Sequence, residues 1–120
     1  MLLFLTLIAC ARPVHQTGVA SWYGPGFAGK PTASGQTFRP GRRTATHPSL
    51  PFGTVVKVTR VDTGKSVRVV INDRGPFTGG RIIDLAQRAA RRLDMVERGL
   101  STVELRLVGC RDRFGKCDPP

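Results

Sequence analysis

The sequence predicts a small, mainly β domain in which about six short strands close into a barrel beside one short α-helix. The chain has 120 residues, with 14 Gly and 9 Pro, and 40% of them are hydrophobic. This composition favours one turn-rich β domain over a helical bundle. Only LAQRAARRLD, residues 85–94, has a convincing helical pattern. A barrel this small is filled by its own side chains, so we expect any site at a rim or in a surface groove.

The first ten residues, MLLFLTLIAC, form an uncharged apolar run that ends in Cys10. The run is too short to span a bilayer and is typical of a secretory signal. Its last four residues, LIAC, look like a bacterial lipobox, in which the chain is cut before a cysteine that then carries lipid; the alternative is a buried N-terminal strand. We therefore expect a lipoprotein signal peptide at 1–9, a lipidated Cys10 and a polar tether over 10–17. Since Ala11 and not Asp follows Cys10, we expect anchoring in the outer membrane of a bacterial envelope, facing the periplasm.

Charge and cysteine usage agree with export. Nineteen Lys and Arg against eight Asp and Glu give a formal net charge of +11, which attracts polyanions such as nucleic acid, anionic lipid or an acidic wall. An exported, lipid-anchored protein is not expected to bind nucleic acid. After lipidation of Cys10, an oxidising compartment favours a disulfide between Cys110 and Cys117 in a C-terminal tail, residues 110–120. A zinc site there is the weaker alternative, since no His or second cysteine pair lies nearby, and no metal or cofactor is expected.

The domain itself is expected over residues 18–109. GVASWYG predicts a first strand, and a loop with five glycines follows between Gly24 and Gly41. TVVKVTR and KSVRVVIND, joined by VDTG, predict a β-hairpin. The helix would start just after Asp84, because Asp84 and Gln87 have the spacing of a capping box. STVELRLVG predicts the closing strand.

Asp73 and His47 are the first candidates for chemistry. Regular alternation in KSVRVVIND would put Asp73 on the inward face with Val67, Val69 and Ile71, and Arg74 on the other. Loss of solvation at the edge of an apolar row would raise the pKa of Asp73 and suit a general acid. The alternative is that Asp73 accepts backbone hydrogen bonds and organises the turn. His47 is a loop residue with either a structural or a catalytic role.

The remaining candidates have structural alternatives too. Asp84 is explained by the helix cap, although a cap also lies close to the preceding loop. Trp22 and Tyr23 could belong to the core or stack on a sugar ring, and one of the two must lie outside or at a rim because neighbouring strand residues face opposite ways. Ser21 and Ser34 have no triad-like partners, which argues against a serine hydrolase.

Four motifs occur in order: A-S-W-Y-G, T-A-S-G, A-x-H-x-x-L-P-x-G-T and N-D-R-G-P-F. With the lipobox, they make residues 18–108 resemble bacterial rare lipoprotein A. The resemblance implies a six-stranded double-psi β-barrel and a lytic transglycosylase, which cuts the β-1,4 bond between N-acetylmuramic acid and N-acetylglucosamine and leaves 1,6-anhydromuramic ends. It implies that Asp73 is the catalytic acid and base, with His47 and Asp84 orienting it or tuning its charge.

The resemblance also implies substrate contacts and partners. The expected substrate-binding residues are Trp22, Tyr23, Ser34, Gln36 and Arg74. The expected partners are peptidoglycan glycan strands, the membrane through the lipid anchor, and division-site proteins. Two acids of the family are replaced here by Gln36 and Arg39, and an amide cannot donate a proton as a carboxylic acid does. The alternative function is therefore an expansin-like module that binds wall glycan without cutting it.

Overall fold

The computed structural model describes residues 12–77 and 79–111. The predicted signal peptide, Cys10 and Cys117 lie outside this part of the chain, so the lipid anchor stays a prediction. Cys110 is disulfide-bonded. Its predicted pairing with Cys117 stays a prediction as well, because Cys117 is not among the described residues.

The described residues form a closed barrel of six strands, which confirms the predicted fold class. Around the barrel the strands follow the order β1, β5, β2, β4, β3, β6. Their bounds are β1 Gln16–Trp22, β2 Thr44–Thr46, β3 Thr54–Arg60, β4 Ser66–Asp73, β5 Arg81–Leu85 and β6 Ser101–Cys110. A 3-10 turn covers Pro25–Phe27, and helix α1 covers Gln87–Arg92.

Two parallel pairs, β1 with β5 and β2 with β4, bring the barrel's two halves together. The other neighbours are antiparallel, including the predicted β3–β4 hairpin. β1 begins at Gln16, and the His15 N–H donates to the Leu105 carbonyl at 2.7 Å. The predicted tether therefore ran too far, since its last residues already pair with β6. Residue 18, the predicted start of the domain, is a glycine within β1. A Cβ at this position would lie 2.7 Å from Ile82 Cγ2 on β5, so the close packing of the two strands explains the glycine.

Alternate residues of the strands fill the barrel interior. Val56, Val58, Val69, Ile71 and Ile83 are fully buried and belong to one continuous core cluster. The alternation of apolar and polar residues in β3 and β4 places these side chains on the inner face. Because the interior is filled, sites for ligands lie on the outer face and at the barrel's ends, as the sequence predicts.

Helix α1 is shorter than predicted and is capped differently. Its N-cap is Ala86, which makes no side-chain capping bond, and Asp84 lies two residues earlier inside β5. The capping-box prediction was therefore wrong: pairing with β1 and β2 holds the chain extended through Leu85, so the helix starts too late for Asp84 to cap it. Among the described residues, no helix has the length and apolar character needed to cross a membrane.

A group of charged side chains fastens the end of α1 to the β3–β4 turn. Arg60 forms two hydrogen bonds with the Asp62 carboxylate, at 2.8 and 3.1 Å, and its Nη1 donates to the carbonyls of Leu93 and Asp94. Arg98 pairs with Asp62 at 3.1 Å, and Lys65 pairs with Asp94. Arg60 is buried, so these partners are what allow its charge to leave water. We call Arg60, Asp62, Lys65, Asp94 and Arg98 the turn cluster.

Candidate active site

A row of polar residues crosses four adjacent strands on one face of the barrel. Ser21 of β1 pairs with Asp84 of β5, Asp84 pairs with Thr46 of β2, and Thr46 pairs with Asp73 of β4. Directly paired residues point to the same side of a sheet. Ser21, Asp84, Thr46 and Asp73 therefore share a face, and we call them the polar row.

This face is not the one that strand alternation predicts for Asp73. Ala45 and Ile71, both fully buried, pair with each other, but the next residue of β2, Thr46, pairs with Asp73 and skips Asn72. A bulge of one residue in β4 thus turns Asp73 away from the core, onto the outer face with Thr46. The predicted inward position beside Val67 and Val69 was wrong.

The Asp73 carboxylate is fixed through one of its oxygens. Oδ1 accepts hydrogen bonds from the backbone N–H groups of Ala33 and Arg74, both at 2.9 Å. Asp73 therefore does organise the turn, as one of the two sequence interpretations has it. Within the described residues, Oδ2 has no hydrogen-bond partner, and Asp73 is only half-buried. One oxygen is held and the other is available to a ligand.

Asp84 is held by β1 instead. Ser21 Oγ donates to Asp84 Oδ1, and Arg81 Nη1 lies 2.9 Å from Ser21 Oγ and 3.3 Å from Asp84 Oδ1. The two carboxylate-bearing strands, β4 and β5, are separated by β2, so the Asp73 and Asp84 backbones lie roughly 10 Å apart. Asp84 faces Ser21 and Arg81 on the side away from Asp73, and no direct contact joins the two acids among the described residues.

His47 follows β2 and uses both ring nitrogens. Nδ1 accepts from the N–H groups of Ser49 and Leu50 at 3.1 Å, so Nε2 carries the proton and donates to Gln16 Oε1 at 2.9 Å. Burial, with the nearby charges of His15 and Arg74, lowers the pKa of His47 to about 4. Its backbone N–H donates to the Asp73 carbonyl at 3.1 Å. His47 thus contacts the backbone of Asp73 through its own backbone, and its neutral ring makes no hydrogen bond to the Asp73 carboxylate within the described residues.

The aromatic residues divide between the core and the outer face. Trp22 packs against the core and its indole N–H donates to the Val96 carbonyl at 3.2 Å. Tyr23 lies on the other side, against Phe38 and Phe27, with ring centroids 4.3 and 5.8 Å away. Phe27 and Phe77 are the exposed aromatic rings near this end, 52% and 75% exposed.

Tyr23 links the two acids electrostatically. Burial, then the negative charge of Asp73 and, more weakly, that of Asp84, raise the pKa of Tyr23 well above its ordinary value. Its Oη lies beside Thr44 Oγ1, but neither buried hydroxyl makes a hydrogen bond of standard geometry within the described residues. Tyr23 therefore keeps its proton near the Asp73 carboxylate.

A small hairpin carries Ser34 and Gln36 over the end of β4. Phe38 N–H donates to Lys30 O, Gly29 N–H to Phe38 O and Thr32 N–H to Gln36 O, and Pro31 forms a bridge with Thr37. Gly35 has φ of 90° and donates to Thr32 O, which is a turn closed by a glycine in the left-handed region. Ser34 N–H donates to Asn72 O at 3.2 Å, so this turn is fastened to the bulge beside Asp73.

A cleft of about 770 Å³ opens on the outer face beside this hairpin. Its lining includes four arginines, Arg42, Arg43, Arg88 and Arg111, with Ser34, Gln36, Thr44, Phe52, Val70 and Asn72. A smaller hollow of about 310 Å³ shares Gln36, Arg42, Thr44 and Asn72 with it and adds Arg39. We call the larger space the arginine cleft.

Arg74, predicted to bind substrate, has a structural part in this region. Its Nη1 donates to the carbonyls of His47 and Leu50 at 3.2 and 2.7 Å, and its guanidinium lies over the Phe52 ring at 4.1 Å. Arg74 thereby holds the 47–52 segment against the end of β4.

The structure thus brings together Asp73, Tyr23, Ser34 and Gln36, whereas β2 separates Asp84 from Asp73 and Trp22 packs against the core. Sequence reasoning missed Asn72, Thr46 and the cleft arginines. The repeated Arg-Arg pair at 42–43 was a signal for the last group. The bulge at Asn72 had no signal beyond a polar residue at the end of an apolar strand.

Solved structures with the same fold support this architecture. The barrel is similar to the Streptomyces papain inhibitor, with a TM-score of 0.63 and 23% identity, covering 82% of this chain and 100% of that one. It is similar to the expansin of Clavibacter michiganensis, with a TM-score of 0.62 and 22% identity, covering 78% of this chain and 50% of that one. At these identities the likeness concerns the fold alone: a double-psi β-barrel.

Sequence comparison then defines the family. A family model described as lytic transglycolase matches residues 15–105, and the chain belongs to this family. The chain is 56% identical over 91 residues to the probable endolytic peptidoglycan transglycosylase RlpA of Synechocystis, covering 76% of this chain. It is 51% identical over 92 residues to the endolytic peptidoglycan transglycosylase RlpA of Helicobacter pylori strain J99, covering 77% of this chain. The matched parts are 28% and 29% of those two relatives, so the chain spans less than a third of their length.

Proposed function

We propose that this domain is a lytic transglycosylase that cuts the glycan strands of peptidoglycan between N-acetylmuramic acid and N-acetylglucosamine. The observation that carries the proposal is the Asp73 carboxylate, which two backbone N–H groups hold by Oδ1 while Oδ2 stays available on the outer face. Membership in the lytic transglycolase family and the names of the relatives support the same reaction and substrate.

The proposed reaction needs one carboxyl group because the substrate supplies the nucleophile. Asp73 protonates the bridging oxygen as the bond from the muramic anomeric carbon to that oxygen breaks. The C6 hydroxyl of the same muramic sugar then bonds to the anomeric carbon and gives its proton to Asp73, which restores the acid. No water is consumed, and the product ends in a 1,6-anhydro ring.

The geometry is suited to a single carboxylate. Glycosidases that use two carboxyl groups and a covalent intermediate place them about 5–5.5 Å apart. Asp73 and Asp84 lie on strands separated by β2, and Asp84 faces Ser21 and Arg81. We therefore propose positioning roles for Asp84 and His47. We propose that Tyr23, which keeps its proton near Asp73, shapes the local charge at the reacting group.

The substrate contacts that we propose lie along the outer face. Ser34 and Gln36 line the arginine cleft next to the bulge at Asn72. Phe27 and Phe77 are exposed rings on which a sugar can stack, a part that the sequence assigned to Trp22 or Tyr23. Trp22 does not fit that part, since its ring packs against the core.

A non-catalytic glycan-binding module is the second candidate, and two observations favour it. Gln36 and Arg39 stand where the family resemblance implies acids, and both border the hollow next to the cleft. His47 has no free ring nitrogen to act as a base. Under this alternative the same groove holds glycan without cutting it.

The lipid anchor on Cys10, the outer-membrane location and recruitment to the division site belong to the proposal as well. They rest on the lipobox-like LIAC segment and on the family resemblance. Globomycin-sensitive processing and metabolic labelling with a fatty acid would test the anchor: labelling that disappears in Cys10→Ala supports it, and labelling that persists contradicts it.

The test of the activity is a digest. The chain is incubated with peptidoglycan stripped of stem peptides, beside Asp73→Asn and the matched control Glu97→Gln, whose carboxylate is exposed and far from β4 in sequence. Mass spectrometry detects 1,6-anhydromuramic ends. We expect products from the parent and the control and none from Asp73→Asn. Products from all three would remove Asp73 from its role, and binding without products in any of them would favour the module.

If the module is correct, restoring the acids should restore the reaction. Gln36→Glu with Arg39→Asp replaces the two departures from the family pattern. New anhydro ends from this variant, with none from the parent, would show that the loss of these acids had silenced the barrel. Equal product from both would show that Asp73 suffices.

A further inference from the structure

The arginine cleft has an excess of positive charge that no acid balances within residues 12–77 and 79–111. Each of the four arginines is exposed, and none of them forms a salt bridge within the described part of the chain. Among the described residues that line the cleft, none has an acidic side chain. Guanidinium groups that share a cleft without an acid repel one another, and an anionic ligand relieves that repulsion.

The four arginines come from three separate places in the fold. Arg42 and Arg43 precede β2, Arg88 lies on α1, and Arg111 follows β6, where its N–H donates to the Gly53 carbonyl at 2.6 Å. Arg88 also donates to the Gly41 carbonyl at 3.1 Å, which ties the helix to the segment that carries Arg42. The charges converge on one space because the closed barrel places these segments side by side.

A second, independent observation points to a ligand with hydrogen-bond donors. Asn72 is 4% exposed, and its Nδ2 donates to Gln36 Oε1 at 3.1 Å. Its Oδ1 is buried and has no hydrogen-bond partner among the described residues, although it belongs to the lining of the cleft. A buried amide oxygen without a partner is costly, and a hydroxyl or amide N–H of a ligand would satisfy it.

The two observations together define the ligand's chemistry. The arginines favour an anionic ligand, and the Asn72 side chain needs a hydrogen-bond donor. Val70 and Phe52 form an apolar wall of the cleft. A sugar with hydroxyl groups and a carboxylate meets all three conditions. The volume, about 770 Å³, falls within the roughly 300–1,000 Å³ of small-ligand sites.

We propose that the arginine cleft is a binding site for a carboxylate-bearing sugar of the glycan. Arg42 and Arg43 bind the carboxylate, and Asn72 accepts a hydrogen bond from a sugar hydroxyl or acetamido N–H. The inference deepens the proposed function, since peptidoglycan freed of its peptides supplies such a carboxylate on each muramic residue. A uronic acid in another wall polymer carries the same group, and the experiment separates these two sources.

The experiment measures binding, not cleavage. The 15N-labelled chain carrying Asp73→Asn, so that no substrate is consumed, is titrated with the N-acetylglucosaminyl–N-acetylmuramic acid disaccharide and with its lactyl methyl ester. The ester lacks the charge and is larger by one methyl group. A charge-assisted hydrogen bond is worth enough for the acid to bind at least about tenfold more tightly than the ester. The side-chain amide of Asn72 should shift on titration.

Two double variants provide the matched comparison. Arg42→Gln/Arg43→Gln removes two charges from the cleft, and Arg91→Gln/Arg92→Gln removes two from an adjacent exposed pair outside it. We expect the first to weaken binding of the acid about tenfold and the second by less than about twofold. A disaccharide with glucuronic acid forms a further arm: equal affinity supports the site and assigns it to sugar carboxylates in general, whereas weaker binding supports it and assigns it to muramic acid.

Several results would overturn the proposal. They are equal binding of acid and ester, equal losses in the two double variants, shifts confined to residues outside the cleft, and displacement of the disaccharide by an equal concentration of inorganic phosphate. The last would mean that any anion suffices. Acid-selective binding by a chain that never yields anhydro ends would leave this inference standing and the proposed reaction refuted. If the chain yields anhydro ends but binds the acid and the ester equally well, the proposed reaction stands and this inference is refuted.

Discussion

In the turn cluster each charged side chain lies against an opposite charge or a carbonyl oxygen, whereas the four arginines of the arginine cleft have no acid beside them in the described part of the chain. Arg60 is buried and makes four hydrogen bonds, while Arg42 and Arg43 are exposed and have no side-chain partner among the described residues. Both regions lie on the outside of the same barrel, where loops meet strand ends and helix α1. The difference indicates that the paired charges stabilise the fold, whereas the cleft arginines contribute little to it and are available to the anionic ligand that we propose.

The acids divide in the same way. Asp62 pairs with Arg60 and Arg98, which lower its pKa, and Asp84 pairs with Arg81. Asp73 has no cation in a salt bridge within the described residues and is held by backbone N–H groups instead. Four predictions test this division through the free energy of unfolding.

The largest effect is expected from Arg60→Gln. The change leaves the carbonyls of Leu93 and Asp94 without their donor and removes the bidentate pair with Asp62. Breaking a buried charge network should lower the free energy of unfolding by about 2–3 kcal/mol. Urea unfolding of Arg60→Gln and of Arg68→Gln, an exposed arginine in the same hairpin, measures it. A similar loss in both would mean that net charge matters and partners do not.

The next effect is a pH dependence that His47 introduces. Its pKa is about 4 in the folded protein against 6.5 ordinarily, so the folded state favours the neutral ring. The resulting stability is fully present above about pH 6.5 and is lost as the pH falls toward 4, because in this range the ring takes up a proton in the unfolded chain but stays neutral in the folded protein. Linkage gives a loss of about 2 kcal/mol between about pH 7 and 5.

Unfolding of the parent and of His47→Gln at both pH values checks this. The variant keeps a hydrogen-bonding side chain but cannot charge, so its stability should change less over the interval than the parent's. If the free energy of unfolding falls equally in the parent and the variant, another group is responsible for the pH dependence, and protonation of His47 is not its cause.

Asp84→Asn should have a smaller effect. Asp84 belongs to the polar row, but its carboxylate is paired. We therefore group it with the paired acids of the turn cluster. The Arg81–Asp84 pair is partly exposed, with side-chain exposures of 34% and 17%, so solvent screening limits its value to about 1 kcal/mol. Thermal unfolding should show a lower Tm for Asp84→Asn. Asp73→Asn should leave Tm within about 2 °C, since an amide oxygen still accepts from Ala33 and Arg74. A larger drop in Tm for Asp73→Asn than for Asp84→Asn would contradict the division of the acids into paired and unpaired ones.

The smallest effect is expected from Arg42→Gln/Arg43→Gln. Exposed arginines without partners contribute little to folding, so the free energy of unfolding should stay within about 0.5 kcal/mol of the parent. A slight gain at low salt would reflect the relief of like-charge repulsion. Chemical unfolding at low and high salt measures it, and a loss above 1 kcal/mol, roughly twice that bound, would show that these arginines are structural.

Much of the fold could be read from local pattern. The β3–β4 hairpin follows from alternation on both sides of VDTG, because period-two patterning places one face of each strand in the core. The residues of α1 carry a helical pattern, but the predicted capping box failed because β5 keeps Asp84 extended. Local propensity does not include the pairing of a residue with a strand that is distant in sequence.

For the candidate site, the chemical groups can be read from the sequence alone: an acid after an apolar strand, a histidine in a loop, and an excess of arginine. Their arrangement was decided by tertiary structure. The bulge at Asn72 puts Asp73 on the outer face, because β2 pairs with β4 in a register that no local pattern specifies. Asp84 meets Ser21 only because β1 and β5 run parallel, 63 residues apart in sequence. The four arginines share one cleft only because the barrel closes, and closure depends on long-range pairing and the burial of a common core.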